Sequence, residues 1–154
     1  MPKIDIASVK VESSTNYPQP YRAAVAGRSR QRLGNVVGLD QFGVNLTRLK
    51  PGAQSAQRHW HAAEDEFVYV IEGTLVLCED DGETVLKAGD AAGFKAGVAN
   101  GHRLVNRSGE DAVYLEVGSR AAHEQVEYPD IDLRLRMDEN GVICTHKSGE
   151  PYPR

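Results

Sequence analysis

Residues 59 to 73 read His-Trp-His-Ala-Ala-Glu-Asp-Glu-Phe-Val-Tyr-Val-Ile-Glu-Gly. On a β-strand, side chains two positions apart point to the same face, so His59 and His61 can aim two imidazoles at one point. Glu66 opens an apolar run that predicts a second strand, and residues 62–65 suit a hairpin loop between the two strands. Paired across that hairpin, two imidazole nitrogens and one carboxylate oxygen make a set of ligands for a divalent transition metal.

The same residues also fit an interpretation without a metal. Histidines two positions apart occur on solvated strand surfaces, and Glu66 could be one of several carboxylates in an acidic loop with Glu64 and Asp65. A short motif of this kind does not decide between the two interpretations. The rest of the chain has to do so.

Composition places the chain among single-domain globular proteins. It has 154 residues, 40% of them hydrophobic and 26% charged, with a net charge of −4. This balance gives no electrostatic footprint for nucleic acid or an anionic membrane. No apolar run reaches the length of a membrane span, and no stretch resembles a signal peptide, so we expect a cytoplasmic protein.

The two cysteines, Cys78 and Cys144, stand apart without CxxC spacing. We expect reduced thiols, and a disulfide between the two is the alternative. A structural zinc site made of cysteines is not expected, because such sites need four ligands in closely spaced pairs.

Apolar, strand-like pieces recur at intervals of about eight to twelve residues and predict an all-β sandwich or barrel. Turn chemistry separates them at Pro51-Gly52, at residues 79–82, at residues 88–91 and at residues 107–110. No long segment keeps the 3.6-residue apolar period of a helix.

The N-terminal part, residues 1–34, is expected to form a short strand over residues 3–11 followed by a loop-rich arm. The arm carries four arginines: Arg22, Arg28, Arg30 and Arg32. They could bind an anion, but the favoured interpretation is surface charge that balances an acidic protein. Residues 35–120 are expected to form the barrel core.

The C-terminal part, residues 121–154, is expected to pack on the barrel as a terminal hairpin or to contact a second copy, with all three parts in one domain. His123 and His146 lie in this part and are interpreted as solvated side chains rather than ligands.

Residues 89 to 106 read Gly-Asp-Ala-Ala-Gly-Phe-Lys-Ala-Gly-Val-Ala-Asn-Gly-His-Arg-Leu-Val-Asn. They predict a strand that ends near Gly97 and a second strand that begins at His102. A third imidazole beside His59, His61 and Glu66 would make a site of three histidines and one carboxylate. A six-coordinate metal would keep two open positions on it.

At this point the chain resembles the cupins, which carry two motifs, G-x5-HxH-x3–4-E-x6-G and G-x5-PxG-x2-H-x3-N. The matching residues are His59, His61, Glu66 and Gly73 for the first motif and Gly89, Gly97, His102 and Asn106 for much of the second. The resemblance covers residues 43–118. It implies a double-stranded β-helix, the cupin jelly-roll barrel, with His59, His61, Glu66 and His102 as ligands of zinc, manganese, iron or nickel.

Three departures from the cupin pattern concern loops. Gly52 lies one residue farther from His59 than the motif has it, and Lys95 replaces a proline. Two extra residues separate Gly97 from His102, so strict counting puts Asn100 in the ligand position. We prefer His102, because imidazole is the better ligand for a borderline metal.

The resemblance implies several functions, since fold alone does not decide function. The chain looks most like small bacterial cupins described as sugar-phosphate-isomerase-like. We expect metal Lewis acidity to act on a small, oxygen-rich, anionic metabolite. An iron-dependent dioxygenase, a decarboxylase and a non-catalytic binding module remain alternatives. Family resemblance also implies a homodimer. Glu64 and Asp65 could act as a base, but no catalytic residue is named beyond the ligands.

Overall fold

The computed structural model describes residues 2–154, which form antiparallel sheets with short helical turns near the N-terminus. The described strands are β1 Val11–Glu12, β2 Arg28–Arg32, β3 Phe42–Leu49, β4 Trp60–His61, β5 Glu66–Glu72, β6 Thr74–Glu79, β7 Gly82–Lys87, β8 Ala91–Phe94, β9 Arg103–Val105, β10 Ala112–Ser119, β11 Glu124–Tyr128, β12 Leu133–Asp138 and β13 Gly141–Thr145. The helical turns are the 3₁₀ helices Ile6–Ser8 and Gln19–Val25 and the α-helix α1, Leu33–Val36. The expected all-β jelly-roll barrel is confirmed.

The strands make two walls that face each other. One wall is a six-stranded sheet in the order β1-β2-β3-β10-β5-β8. The other combines a four-stranded sheet, β13-β12-β11-β4, with a three-stranded sheet, β7-β6-β9. A backbone pairing between His59 and His102 joins these two sheets.

The main core fills the barrel between the two walls. Its buried side chains come from strands of both walls and include Leu49, Val70, Leu75, Leu104 and Tyr114. Alternation explains this set, since every second residue of a strand points inward.

A second core lies between the N-terminal and C-terminal parts of the chain. Tyr17 and Val25 pack there against Val126, Tyr128 and Leu133. The C-terminal part thus packs against its own chain as two consecutive hairpins, because β12 pairs with both β11 and β13. The expected boundaries at residues 34 and 120 stay a prediction.

Two expectations for the N-terminal part are wrong. Residues 3–11 contain a 3₁₀ turn before the two-residue strand β1. The expected loop-rich arm includes β2, which pairs along its length with β3. The sequence of β2, Arg-Ser-Arg-Gln-Arg, has no apolar residue. No hydrophobic alternation could therefore reveal it.

No helix among residues 2–154 has the length and apolar character that crossing a membrane requires. Both cysteines are free thiols, as expected.

Candidate metal centre

Four side chains from three places in the fold meet inside the barrel. His61 ends β4, and His59 precedes that strand by one residue. Glu66 begins β5, and His102 directly precedes β9. His59 and His102 are direct partners, because each backbone N–H donates to the carbonyl of the other. This pairing brings the histidines of the two motifs together.

The hairpin expected between His61 and Glu66 is wrong. β4 pairs with β11, whereas β5 pairs with β8 and β10. Residues 62–65 therefore cross from one wall of the barrel to the other. Glu66 faces the histidines across the barrel interior rather than along one sheet.

The Nε2 atoms of all three histidines point to the carboxylate of Glu66. His102 Nε2 lies 2.6 Å from Glu66 Oε2, and His59 Nε2 lies 3.7 Å from the same oxygen. His61 Nε2 lies 3.2 Å from Glu66 Oε1. The ligand atoms of His59, His61 and Glu66 all lie within 4.8 Å of one another.

The hydrogen bond of His59 prepares its Nε2 atom for a metal. Its Nδ1 lies 2.8 Å from the carbonyl oxygen of Gln57 and donates its proton there. In the neutral ring, Nε2 then carries a lone pair that faces the Glu66 carboxylate. A cation between lone pair and carboxylate would stabilise that arrangement, so these residues fit a divalent metal.

His102, rather than Asn100, faces this cluster. Phe94 stacks on the His102 ring, with 3.6 Å between centroids and an interplanar angle of 5°. Among residues 2–154, the buried Nδ1 of His102 has no hydrogen-bond partner. The Asn100 amide instead donates to Glu79 and accepts the backbone N–H of Asp80.

Two further carboxylates, Glu64 and Glu124, approach His61 from its Nδ1 side. Glu124 Oε2 lies 3.5 Å from His61 Nδ1, and Glu64 Oε2 lies 3.8 Å from it. Sequence reasoning missed Glu124 as a site residue. Glu124 lies two and four positions before Val126 and Tyr128, which are both buried. This alternation along a strand could have indicated that its side chain points inward.

The charges of the cluster shift several pKa values. Burial opposes ionisation of Glu66, but the close imidazoles of His102, His59 and His61 outweigh it and hold the pKa of Glu66 well below its usual value. Burial lowers the pKa of His102. Burial acts in the same sense on His61, yet the carboxylates around it, Glu66 first, raise its pKa. Burial raises the pKa of Glu64.

A cavity of about 400 Å³ extends from this cluster into the barrel. Arg28, Arg30 and Arg32 line it, and Arg28 is buried. The interpretation of these arginines as surface charge is therefore wrong for Arg28. His123 and His146 lie outside the cavity, against Glu139 and Asp132 respectively.

Comparison with known proteins identifies the family. A family model described as "Cupin domain" matches residues 45–118. A sugar phosphate isomerase of a cupin superfamily from Silicibacter pomeroyi has a similar structure, with a TM-score of 0.94 and 46% sequence identity. The match covers 98% of this chain and 96% of that protein. The chain belongs to the cupin superfamily.

Other solved structures are similar to this cupin at greater distance. A protein from Acidithiobacillus ferrooxidans, proposed to be a sugar phosphate isomerase, is 30% identical with a TM-score of 0.74, over 82% of this chain and 81% of that one. A polyketide cyclase from Streptomyces resistomycificus shares the fold, with 20% identity, a TM-score of 0.64 and coverage of 77% and 79%. A search of curated proteins found no match.

Proposed function

We propose that this cupin binds one divalent transition metal through His59, His61, Glu66 and His102. The observation that carries the proposal is the convergence of three Nε2 atoms on one carboxylate, within 2.6 to 3.7 Å. Three neutral imidazoles and one carboxylate suit zinc, manganese, iron or nickel. His102 takes the ligand position in this proposal because Asn100 is already engaged by Glu79 and Asp80.

We further propose that the protein acts on a small anionic sugar derivative as an isomerase-like enzyme. When bound, the metal would supply the Lewis acidity that polarises a substrate oxygen. The chain itself orients the ligands: the Gln57 carbonyl holds the His59 ring and Phe94 holds the His102 ring. Similarity to the Silicibacter protein, named as a sugar phosphate isomerase, supports this substrate class.

The test is elemental analysis of untagged protein, with His102→Ala alongside. We expect about one equivalent of metal in the parent and much less in the variant, because structural and catalytic sites lose affinity when a ligand is removed. His146→Ala is the control, since His146 lies outside the cavity. If the parent binds none of manganese, iron, zinc or nickel after incubation, the metal site is refuted.

Metal-loaded protein should then convert one sugar phosphate into another in an NMR assay, and His59→Ala should abolish that conversion. Stoichiometric metal without turnover of any sugar phosphate would favour a binding module. Iron as the resident metal would direct the assay to oxygen chemistry.

We also propose a homodimer and a cytoplasmic location. Family resemblance supports the dimer, which sedimentation can test. The free thiols of Cys78 and Cys144 support a reducing compartment, which cell fractionation can test.

A further inference from the structure

The arginines of β2 face the metal cluster across the cavity. Arg30 pairs with Thr47 on β3, and Thr47 pairs with Tyr114 on β10. Directly paired residues share one face of a sheet. Thr47 and Tyr114 are fully buried, so this face is the barrel interior. Arg30 therefore points inward.

The same face carries Glu66. Gly118 of β10 pairs with Glu66 and therefore shares its face of the sheet. Gly118 also lies four positions from Tyr114, an even number, so Glu66 and Tyr114 are on the same face. Arg30 and Glu66 thus stand on one concave surface, separated by three strand spacings, about 14 Å, across the sheet and by four residues, about 13 Å, along the strands. The cavity fills the space between them.

Arg30 is the arginine of β2 whose guanidinium is least engaged. Arg28 donates to the Ser55 carbonyl at 2.6 Å, and Arg32 donates to Glu12 at 2.8 Å. The buried Nε of Arg30, by contrast, has no hydrogen-bond partner among residues 2–154. Its nearest carboxylate oxygen is Glu116 Oε1, at 3.6 Å.

Glu116 does not neutralise all the positive charge in this region of the cavity. Its Oε1 already accepts hydrogen bonds from Asn45 and Thr47. Arg28 and Arg30 together set two guanidinium groups against this one carboxylate. The buried hydroxyl of Tyr114 also lacks a hydrogen-bond partner within the described part of the chain. A wall of positive charge and hydrogen-bond donors thus lies opposite the cluster of histidines and carboxylates.

We propose that Arg30, with the Tyr114 hydroxyl, binds the phosphate of a phosphate monoester whose other end reaches the metal cluster. This inference rests on the proposed function, since it names the substrate class for that site. The donors outnumber the two oxygens of a carboxylate and suit the three terminal oxygens of a phosphate. The ligand needs a chain of several atoms to bridge the two ends, as a phosphorylated sugar has and oxalate lacks.

The test is isothermal titration of the full chain, as purified, with inorganic phosphate. We expect Arg30→Gln to weaken binding at least about tenfold, because a charge-assisted contact is lost. Metal content should stay at the parent level. Arg48→Gln is the control: it removes the same charge from an exposed residue of the same sheet, and its binding should match the parent.

Glu116→Gln is a second variant in case Arg30→Gln does not fold. Glutamine keeps the Oε1 acceptor for Asn45 and Thr47 but removes the charge that competes for Arg30. Phosphate should then bind several-fold more tightly. Unchanged or weaker binding would overturn the assignment.

Other outcomes also decide. Absence of phosphate binding in the parent, or equal binding by Arg30→Gln, would overturn the proposal, as would acetate binding more tightly than phosphate. Phosphate binding lost in His102→Ala but kept in Arg30→Gln would place the anion on the metal. If the parent holds no metal while phosphate binding still depends on Arg30, the proposed function fails and the anion site stands.

Discussion

The carboxylate of Glu124 stands where an orienting partner of a metal-ligating imidazole belongs. Its Oε1 accepts the backbone N–H groups of Ala63 and Gln125, which fixes the side chain. Its Oε2 faces Nδ1 of His61 at 3.5 Å. A proton on Nδ1 leaves the lone pair on Nε2, the nitrogen that faces Glu66.

Replacing Glu124 by glutamine should reverse this preference. The amide oxygen must stay with the two backbone N–H groups, so the amide nitrogen faces His61 and favours the tautomer with the proton on Nε2. We expect metal affinity to fall by about ten- to a hundredfold, the range seen when such orienting partners are mutated. Competition with a chromophoric chelator measures it.

The matched control is Glu139→Gln, because Glu139 is an exposed carboxylate beside the equally exposed His123. Both variants should unfold thermally like the parent in the metal-free form. Equal metal affinity of Glu124→Gln and Glu139→Gln would contradict the orienting role.

At this scale the sequence predicted which side chains meet but not how. His59, His61, Glu66 and His102 lie together, as the motifs indicated. Spacing along the chain suggested a hairpin, whereas the contact forms across the barrel. Glu124 escaped notice because its neighbours in space, His61 and Ala63, are far away in the sequence.

At the scale of elements, the turn between β5 and β6 depends on Gly73. Its φ is +79°, a conformation that costs other residues roughly 1–2 kcal/mol. A Cβ atom there would also lie 2.8 Å from the Asp111 carbonyl oxygen and 2.9 Å from Ala112 Cα. Both are backbone atoms at the start of β10 and cannot move aside cheaply.

Gly73→Ala should therefore destabilise the fold more than Gly52→Ala does. Gly52 also has positive φ, +83°, but a Cβ atom there meets nothing within 4 Å. The difference between the two variants measures the cost of the clash alone. We expect Gly73→Ala to lower the free energy of unfolding by at least about 2 kcal/mol more than Gly52→Ala does. Urea denaturation measures both variants. Equal losses of unfolding free energy in the two variants would show that the backbone at the start of β10 shifts to make room for the Cβ atom.

Strand prediction succeeded where one face is packed with apolar side chains and failed where it is not. The hairpin of β6 and β7 around the Asp80–Asp81 turn follows its alternation and its Asp-Gly signal. β2 belongs to the same barrel, yet its inner face carries arginines that line a cavity. The alternation of apolar and polar residues reveals a strand that packs on an apolar core. A strand whose inner face lines a polar cavity shows no such alternation.

At the scale of the whole molecule, an exposed apolar face of the barrel suits a contact with a second copy better than the C-terminal part does. Tyr128 and Leu133 are buried within their own chain and cannot serve a partner. The outer face of β5 instead exposes Phe67, Tyr69 and Ile71, each by more than 40%. A continuous apolar strand face of this kind is typical of an interaction surface.

We expect a homodimer through this face and a monomer after Tyr69→Lys, because a charge opposed by its symmetric copy is costly at a two-fold contact. Light scattering coupled to size-exclusion chromatography measures the mass. Val85→Lys is the control, since Val85 is an exposed apolar residue on β7 in the other wall. A monomeric parent at high concentration would refute the dimer.

The cavity described above has two kinds of wall with separate origins. The side chains proposed as metal ligands come from the motif-bearing barrel, whereas Tyr17, Tyr128 and Met137 come from the terminal parts of the chain. Mutations of these three residues can therefore reshape the pocket without replacing a proposed ligand. Selection could tune specificity there independently, so relatives that share the motifs can diverge in the molecules they accept.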